Sequence, residues 1–147
     1  MTRQAPDFTL PSTDGEITLS KMGGKVVLYF YPRDDTPGCT LEALDFDRLA
    51  AEFAAAGTRV IGISRDTLAS HQKFCTKHGL GITLASDTGE VTEAYDVWVE
   101  KTLYGKKSMG IERSTFLIDA EGRILQEWRK VKVAGHAEAV LAAAQAV

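Results

Sequence analysis

Residues 26–31 form an unbroken run of six apolar and aromatic side chains, and this run constrains the fold more than any other part of the sequence. Val, Leu, Tyr and Phe favour extended backbone, and a run without polar alternation is typical of a strand that is buried on both faces. Pro32 follows at once and ends the strand, because proline has no N–H to donate to a neighbouring strand. The run therefore predicts a central strand with helices covering both sides of the sheet.

Helices and strands alternate along the rest of the chain. A first helix is predicted to begin near Cys39 or Thr40 and to stop at Gly57. The later predicted elements are a strand at 59–64, a helix from Asp66 or Thr67 to His78, a strand at 82–84, a short helix at 89–96, a mixed loop or hairpin at 97–112, a hairpin with strands 114–118 and 123–128, and a closing helix. This order predicts an α/β fold with a mainly parallel sheet, made mixed by a hairpin at one edge. We expect residues 1–147 to form a single domain.

The composition excludes several classes of protein. With a formal net charge of −3 and both signs mixed along the chain, the sequence has no basic patch for nucleic acid. No apolar stretch approaches the roughly 20 residues of a membrane-spanning helix, and the first residues contain no apolar secretory core. We therefore expect a cytoplasmic protein with neither nucleic acid nor membrane as a partner.

The chain has two cysteines, Cys39 and Cys75. In a reducing compartment, a pair of cysteines is weak evidence for a structural disulfide. The two thiols are better understood as buried apolar groups, as metal ligands or as redox-active groups. The residues around Cys39 help to choose among these three roles.

Cys39 lies at the predicted start of a helix, directly after the loop that follows the central strand. In sheets of this kind, active sites lie beyond the carboxyl ends of the strands. Backbone N–H groups and the helix dipole favour a thiolate at a helix start. Pro37 stiffens the loop, and Gly38 permits a close approach of the backbone to whatever Cys39 attacks. The plain alternative is a strand–helix turn that happens to contain a cysteine.

The spacing Pro32-x-x-x-Thr36-x-x-Cys39 resembles the PxxxTxxC signature of the peroxiredoxins. The longer form TPGCTxE, over residues 36–42, is similar to the peroxiredoxin Q, or bacterioferritin comigratory protein, subfamily. Other segments resemble the same subfamily in the same order, at 5–11, at 97–101 with 104–106, and at 110–119. The last of these resembles the segment that carries the family's active-site arginine.

The resemblance implies a thioredoxin-like fold and the activity of a thiol-dependent peroxidase. It implies that Cys39 is the peroxidatic cysteine, whose thiolate attacks a peroxide oxygen. Thr36 would hydrogen-bond the thiolate or the peroxide, Arg113 would donate to sulfur and peroxide oxygens, and Pro32 would shield the pocket from water. Glu42 fits the same pattern, and its role stays open.

The second cysteine is assigned through the same resemblance. Many members of the subfamily carry a resolving cysteine five residues after the peroxidatic one, but here that position is Leu44. Other members carry the resolver on the next helix, which implies a transient disulfide between Cys39 and Cys75. A disulfide needs Cα atoms within about 7 Å, so we expect the first turn around Cys39 to unwind on oxidation, either alone or together with the helix that carries Cys75. The alternative is a one-cysteine mechanism with an external thiol, in which Cys75 is a buried apolar residue.

The resemblance also implies the reaction partners. Hydrogen peroxide or small alkyl hydroperoxides would be reduced to water or alcohol, with electrons from thioredoxin or a similar dithiol. No cofactor and no metal are implied, because the chemistry needs only thiols. The resemblance favours a monomer.

The same residues are compatible with different chemistry. His71, Cys75 and His78 recur at helical spacing and could ligate zinc, although a structural site usually has four ligands. Otherwise His71 faces solvent and His78 stabilises a helix end. A thioredoxin-type exchanger usually carries C-x-x-C, and Glu42 occupies the second of those positions. A redox sensor or chaperone could use the same cysteines without turnover, and Arg113 could form a surface ion pair with Glu112 or Glu121.

Overall fold

The protein, seen in a computed structural model that describes residues 3–147, is built on a central six-stranded sheet. The strands are β1 (Arg3–Gln4), β2 (Thr9–Leu10), β3 (Ile17–Thr18), β4 (Lys25–Phe30), β5 (Thr58–Ser64), β6 (Thr83–Ser86), β7 (Trp98–Leu103), β8 (Lys106–Ile111), β9 (Ser114–Ile118) and β10 (Arg123–Trp128). The order in the central sheet is β1-β10-β9-β4-β5-β6. The other strands form two separate pairs, β2 with β3 and β7 with β8.

The central sheet is mixed, as expected, but only half of it is parallel. Strands β4, β5 and β6 run parallel, whereas β9, β10 and β1 are each antiparallel to their neighbours. The expectation of a mainly parallel sheet is therefore wrong for the half that begins at β9. The hairpin of β9 and β10 pairs directly with β4, and each strand that a hairpin adds reverses direction.

The helices that cover this sheet are α1 (Pro37–Arg48), α2 (Ala50–Ala55), α3 (Leu68–His78), α4 (Glu90–Ala94) and α5 (His136–Gln145). α1 begins at Pro37, two residues before the predicted start, because proline suits the first turn, where an N–H has no intrahelical partner. The single helix predicted up to Gly57 is broken at Leu49 into α1 and α2. Among residues 3–147, no helix is both long and apolar enough to cross a membrane.

Helix α3 has the predicted boundaries. Thr67 caps its N-terminus, where the Thr67 hydroxyl accepts a hydrogen bond from the Ser70 N–H at 3.1 Å. Gly79 ends it in the left-handed conformation, with φ of 64°. The capping residues thus fix where the helix that carries Cys75 starts and stops.

The central strand β4 is buried on both faces, as predicted. Val26, Leu28 and Phe30 point into one hydrophobic layer, with residues of β2, β3 and α4. Val27 and Tyr29 point into the other, with residues of α1, α2, α3 and α5. We call the second one the helical layer, and both cysteines lie in it.

Gly62 of β5 makes room for a large ring in the helical layer. A Cβ at this position would lie 2.6 Å from Cζ of Tyr29, closer than real side chains approach. The Tyr29 ring stacks on Phe46 of α1, with centroids 4.6 Å apart. The glycine therefore leaves room for the Tyr29 ring, whose stacking on Phe46 packs α1 against the sheet.

The segment after α4 contains the predicted hairpin, with β7 and β8 paired outside the central sheet. The last hairpin, at 114–118 and 123–128, has the predicted bounds. The strand predicted at 82–84 begins one residue later and runs to Ser86. The prediction of a helix-flanked α/β fold is confirmed.

Candidate active site

The carboxyl ends of β4 and β5 meet at one edge of the sheet, and the β4–α1 loop (residues 31–36) lies there. Thr36 is the cap residue of α1, and Cys39 is the third residue of that helix. Cys39 is only 2% exposed. The unpaired N–H groups and the positive dipole end of the first turn favour negative charge on its sulfur.

Arg113 joins Cys39 to Glu42. Its Nη2 donates to Cys39 Sγ at 3.3 Å, and its Nη1 donates to Glu42 Oε1 at 2.6 Å. Arg113 reaches the site because β9 begins at the next residue, Ser114, which pairs with Phe30 at the end of β4. The alternative of a surface ion pair with Glu112 or Glu121 is wrong, because the partner is a buried carboxylate on α1.

A Cβ at Gly38 would lie 3.3 Å from Arg113 Nη2, which is tighter than most real contacts. A side chain at this position would push the guanidinium away from the helix start. Gly38 was expected to permit a close approach, and the group that approaches is the side chain of Arg113.

Glu42 is the residue whose role the sequence left open. It is 1% exposed, and within the described chain its Oε2 has no hydrogen-bond partner. Burial raises the pKa of Glu42 to about 7, although the charge of Arg113 acts in the opposite direction. Near neutral pH, Glu42 therefore exists in both protonation states, and ionisation strengthens its hold on the guanidinium.

The Glu42→Gln variant is expected to remove a pH dependence of stability. Glu42 ionises near pH 4.5 in the unfolded chain but near pH 7 in the folded protein, so stability falls as the pH rises across this window. The raised pKa corresponds to about 3 kcal/mol. Urea unfolding of the reduced protein at about pH 5 and about pH 8 measures the effect.

The exposed residue Glu52 on α2 supplies the matched control for this experiment. Glu52→Gln is expected to keep the pH dependence of the wild type, whereas Glu42→Gln flattens it. A Glu42→Gln protein with an unchanged pH dependence would show that the buried carboxyl group does not titrate in this window.

The other two motif residues, Thr36 and Pro32, lie on the β4–α1 loop. Thr36 Oγ1 donates to the carbonyl oxygen of Arg33 at 2.9 Å, and Pro32 is exposed. A hydroxyl carries one proton, so Thr36 must give up the Arg33 carbonyl before it donates to sulfur or to peroxide.

Cys75 lies on α3, half-buried, and both cysteines are free thiols. It packs against the helical layer that contains Cys39. Burial, followed by the negative charge of Asp34, raises the pKa of Cys75 to about 11. In this conformation almost none of Cys75 is thiolate at neutral pH.

The two histidines of α3 point to different partners. His71 is completely buried, and its Nδ1 lies 2.7 Å from Asp34 Oδ2. The expectation that His71 faces solvent is wrong, because a buried carboxylate on the β4–α1 loop pairs with it. His78 lies 2.9 Å from Asp35 at the exposed end of the helix.

One group of three possible metal ligands occurs in residues 3–147, formed by Asp34, Asp66 and His71. It differs from the His71, Cys75 and His78 set that helical spacing suggested. Its polar atoms already take part in hydrogen bonds within the protein.

Two basic residues near Arg113 were not predicted as site residues. Burial and the charge of Arg113 lower the pKa of Lys101, on β7. The same two causes lower the pKa of His136, at the start of α5, to about 4. His136 is therefore neutral at physiological pH, and its Nε2 lies 2.8 Å from Thr115 Oγ1. Neither residue was predicted, because strand and helix packing alone brings them to the site.

A cysteine that accepts a hydrogen bond from an arginine, at the carboxyl edge of a thioredoxin-like sheet, is typical of the thiol peroxidases. The profile of the AhpC/TSA family matches residues 1–127 of this chain. The chain belongs to this family, whose members include the peroxiredoxins named below.

The curated relatives carry peroxiredoxin names. Peroxiredoxin Bcp of Xanthomonas campestris is 50% identical over 149 residues, which covers 93% of this chain and 93% of the relative. Peroxiredoxin Bcp of Bacillus subtilis is 51% identical over 137 residues, or 91% of this chain and 87% of the relative. The resemblance found in the sequence is confirmed.

Solved structures agree with the fold. Peroxiredoxin Q of X. campestris superposes with a TM-score of 0.90 at 51% identity, over 95% of this chain and 90% of that one. A PrxQ mutant of Xylella fastidiosa gives a TM-score of 0.90 at 40% identity, over 99% and 97%. The thioredoxin-like fold and the activity of a thiol peroxidase follow for this chain.

Proposed function

We propose that Cys39 is the peroxidatic cysteine and that Arg113 stabilises charge as it attacks. One observation carries this proposal: Arg113 holds Cys39 Sγ at 3.3 Å with one nitrogen and Glu42 Oε1 at 2.6 Å with another. A donor that is fixed at two points keeps its orientation while charge moves from sulfur to the leaving oxygen. Thr36 would donate to the peroxide once its hydroxyl turns, and Pro32 would limit the access of water to Cys39.

In the first step, the Cys39 thiolate attacks the terminal oxygen of the peroxide. A sulfur–oxygen bond forms and the oxygen–oxygen bond breaks. The leaving oxygen takes the proton of the attacked oxygen, which yields water or an alcohol and leaves Cys39 as a sulfenate. The sulfenate gains a proton from solvent and becomes a sulfenic acid. The sulfur loses two electrons, and the peroxide gains them.

We propose Cys75 as the resolving cysteine. Its thiolate attacks the Cys39 sulfenic acid, a disulfide forms, and the hydroxide that leaves is protonated to water. Both thiols are free and pack in the helical layer, which supports the pairing. Solved structures of X. campestris peroxiredoxin Q include two cysteine-to-serine mutants, and the two cysteines are separated there by the same number of positions as Cys39 and Cys75.

The raised pKa of Cys75, about 11, adds a condition to this step. A thiol attacks as the thiolate, so Cys75 is nearly inert in its half-buried position. Exposure to water returns its pKa towards about 8.5 and restores several per cent of thiolate at neutral pH. Local opening of α3, as well as of the first turn of α1, would therefore favour resolution by Cys75.

Oxidation with one equivalent of hydrogen peroxide tests both cysteine roles. We expect both free thiols to disappear without a covalent dimer, and the disulfide to join Cys39 to Cys75 in a peptide map. In the Cys75→Ser control, Cys39 is expected to stop at the sulfenic acid, which a dimedone probe detects. A Cys75 thiol that stays titratable after oxidation of the wild type would contradict the resolving role and favour the one-cysteine mechanism.

The remaining parts of the proposal concern the partners. Hydrogen peroxide and small alkyl hydroperoxides are the proposed substrates, and alkyl peroxide reduction was studied for the X. campestris bacterioferritin comigratory protein. Thioredoxin or a similar dithiol is the proposed reductant, since the disulfide needs two electrons to return to thiols. We propose that the chain works as one domain and as a monomer.

A further inference from the structure

A buried polar cluster connects the β4–α1 loop to the helix that carries Cys75. At its centre is Asp34, which is 8% exposed. Its carboxylate accepts from Tyr31 Oη at 2.5 Å and from Ser70 Oγ at 2.8 Å, and it lies 2.7 Å from His71 Nδ1. Its backbone N–H donates to Asp66 Oδ2 at 2.9 Å. One loop residue thus holds two neighbouring residues of α3.

Both ring nitrogens of His71 have hydrogen-bond partners. Its Nε2 lies 2.9 Å from the carbonyl oxygen of Ala85, and its Nδ1 lies 2.7 Å from Asp34 Oδ2 and 3.3 Å from Tyr31 Oη. Burial raises the pKa of Asp34, but hydrogen bonds from His71 and Tyr31 more than offset this, so the carboxyl group stays ionised. His71 is therefore a buried partner of a buried carboxylate.

This pair lies where the two reactive cysteines must be rearranged. Asp34 precedes the first residue of α1 by three positions, and Cys39 is in the first turn of that helix. His71 precedes Cys75 by one helical turn on the same side of α3. Opening α3 to release Cys75 therefore separates His71 from Asp34, unless the loop moves with it.

An ion pair connects the same loop to the same helix at the surface. Asp35 Oδ2 lies 2.6 Å from Lys77 Nζ, and both side chains are well exposed, at 43% and 61%. Exposed pairs contribute little because water and salt screen them. Breaking a buried pair leaves a charge without a partner and costs far more. The buried pair should therefore control the opening of α3.

We propose that the buried Asp34–His71 pair is a latch that holds α3 closed and sets how fast Cys75 reaches the Cys39 sulfenic acid. This rests on the proposed resolving role of Cys75. While the latch is closed, the sulfenic acid stays exposed to a second peroxide. That reaction forms a further sulfur–oxygen bond, releases water or alcohol, and gives a sulfinic acid that a thiol no longer reduces. The strength of the latch thus determines how much of the Cys39 sulfenic acid forms the disulfide and how much is over-oxidised.

The opening of α3 can be measured without turnover in the Cys39→Ser background, where Cys75 is the only cysteine. Asp34→Asn removes the buried charge and is expected to speed alkylation of Cys75 by roughly tenfold or more. The matched control, Asp35→Asn, changes the neighbouring residue of the same loop and should alter the rate by less than about twofold. Asn suits this position, because Asp35 has φ of 59°.

A second variant tests the latch independently in case Asp34→Asn does not fold. Tyr31→Phe removes one donor to Asp34 but leaves the contact with His71, and should give a smaller acceleration in the same direction. Hydrogen exchange of the α3 amides in each reduced variant should follow the alkylation rates. Equal alkylation and exchange in Asp34→Asn, Tyr31→Phe and Asp35→Asn would overturn the latch.

With Cys39 restored, Asp34→Asn should form the disulfide faster and need a higher peroxide dose for half conversion to the sulfinic acid. The two proposals can fail separately. If the wild type forms no Cys39–Cys75 disulfide, the resolving role fails, whatever the alkylation rates show. If the disulfide forms but its rate is the same in Asp34→Asn and Asp35→Asn, the latch fails and the resolving role stands.

Discussion

The Cys39→Ser variant is expected to consume peroxide roughly 10⁴-fold or more slowly than the wild type. A serine hydroxyl is not ionised at neutral pH and forms no stable bond to the transferred oxygen, so neither the nucleophile nor the two electrons are available. Arg113 and the start of α1 would still favour negative charge at this position, but serine carries none. A stopped-flow assay of peroxide disappearance under single-turnover conditions measures the loss directly.

The Cys75→Ser variant is the control for this prediction. It is expected to keep the fast first oxidation, because Cys75 acts only after the peroxide bond is broken. Its turnover with a dithiol reductant should fall, while its first turnover stays within about twofold of the wild type. Peroxide consumption that persists in Cys39→Ser but disappears in Cys75→Ser would reverse the two roles.

Arg113→Gln is expected to lower the second-order rate constant with peroxide by roughly 10²–10³-fold, the loss typical of removing a charged donor at a developing oxyanion. The variant removes the cation 3.3 Å from Cys39 Sγ. It also leaves the buried carboxyl group of Glu42 without its cation, and burial then favours the protonated form of that group. Proton uptake by Glu42 limits the cost to folding, so activity should fall much more than stability.

Two further variants separate charge from geometry at Arg113. Arg113→Lys keeps the charge but cannot reach Cys39 and Glu42 together, and should recover only part of the rate. Arg33→Gln changes an exposed arginine of the β4–α1 loop and should leave the rate unchanged. Full activity in Arg113→Gln, with normal unfolding by urea, would show that the guanidinium does not stabilise the transition state.

Much of the fold follows from local sequence. The run at 26–31 has no charged residue and β4 is buried on both faces, while Thr67 and Gly79 supply the cap and the stop of α3. The errors concern features that depend on distant segments. The hairpin at 114–118 and 123–128 was predicted, but its antiparallel pairing with β4 joins segments more than 80 residues apart, which local sequence does not encode.

The candidate site divides in the same way. Cys39 is marked by the proline, glycine and helix start around it, all within a few residues, so local sequence is enough to single it out. Arg113 lies 74 residues away and reaches Cys39 only because β9 pairs with β4. Arg113 was predicted through a family resemblance, whereas spacing alone favoured the surface.

His71 marks the limit of local reasoning. A histidine on a polar helix is expected to face solvent, because burial of an ionisable group is costly. The structure buries it completely, since Asp34 on a loop 37 residues earlier and the carbonyl oxygen of Ala85 supply partners for both ring nitrogens. By itself, the sequence determined the order of helices and strands and the cysteine at the start of α1, because these depend on neighbouring residues. Only the tertiary structure decided the charges around Cys39 and the connection between loop and α3, because an isolated charge is unfavourable in the core until the fold brings its partner to it.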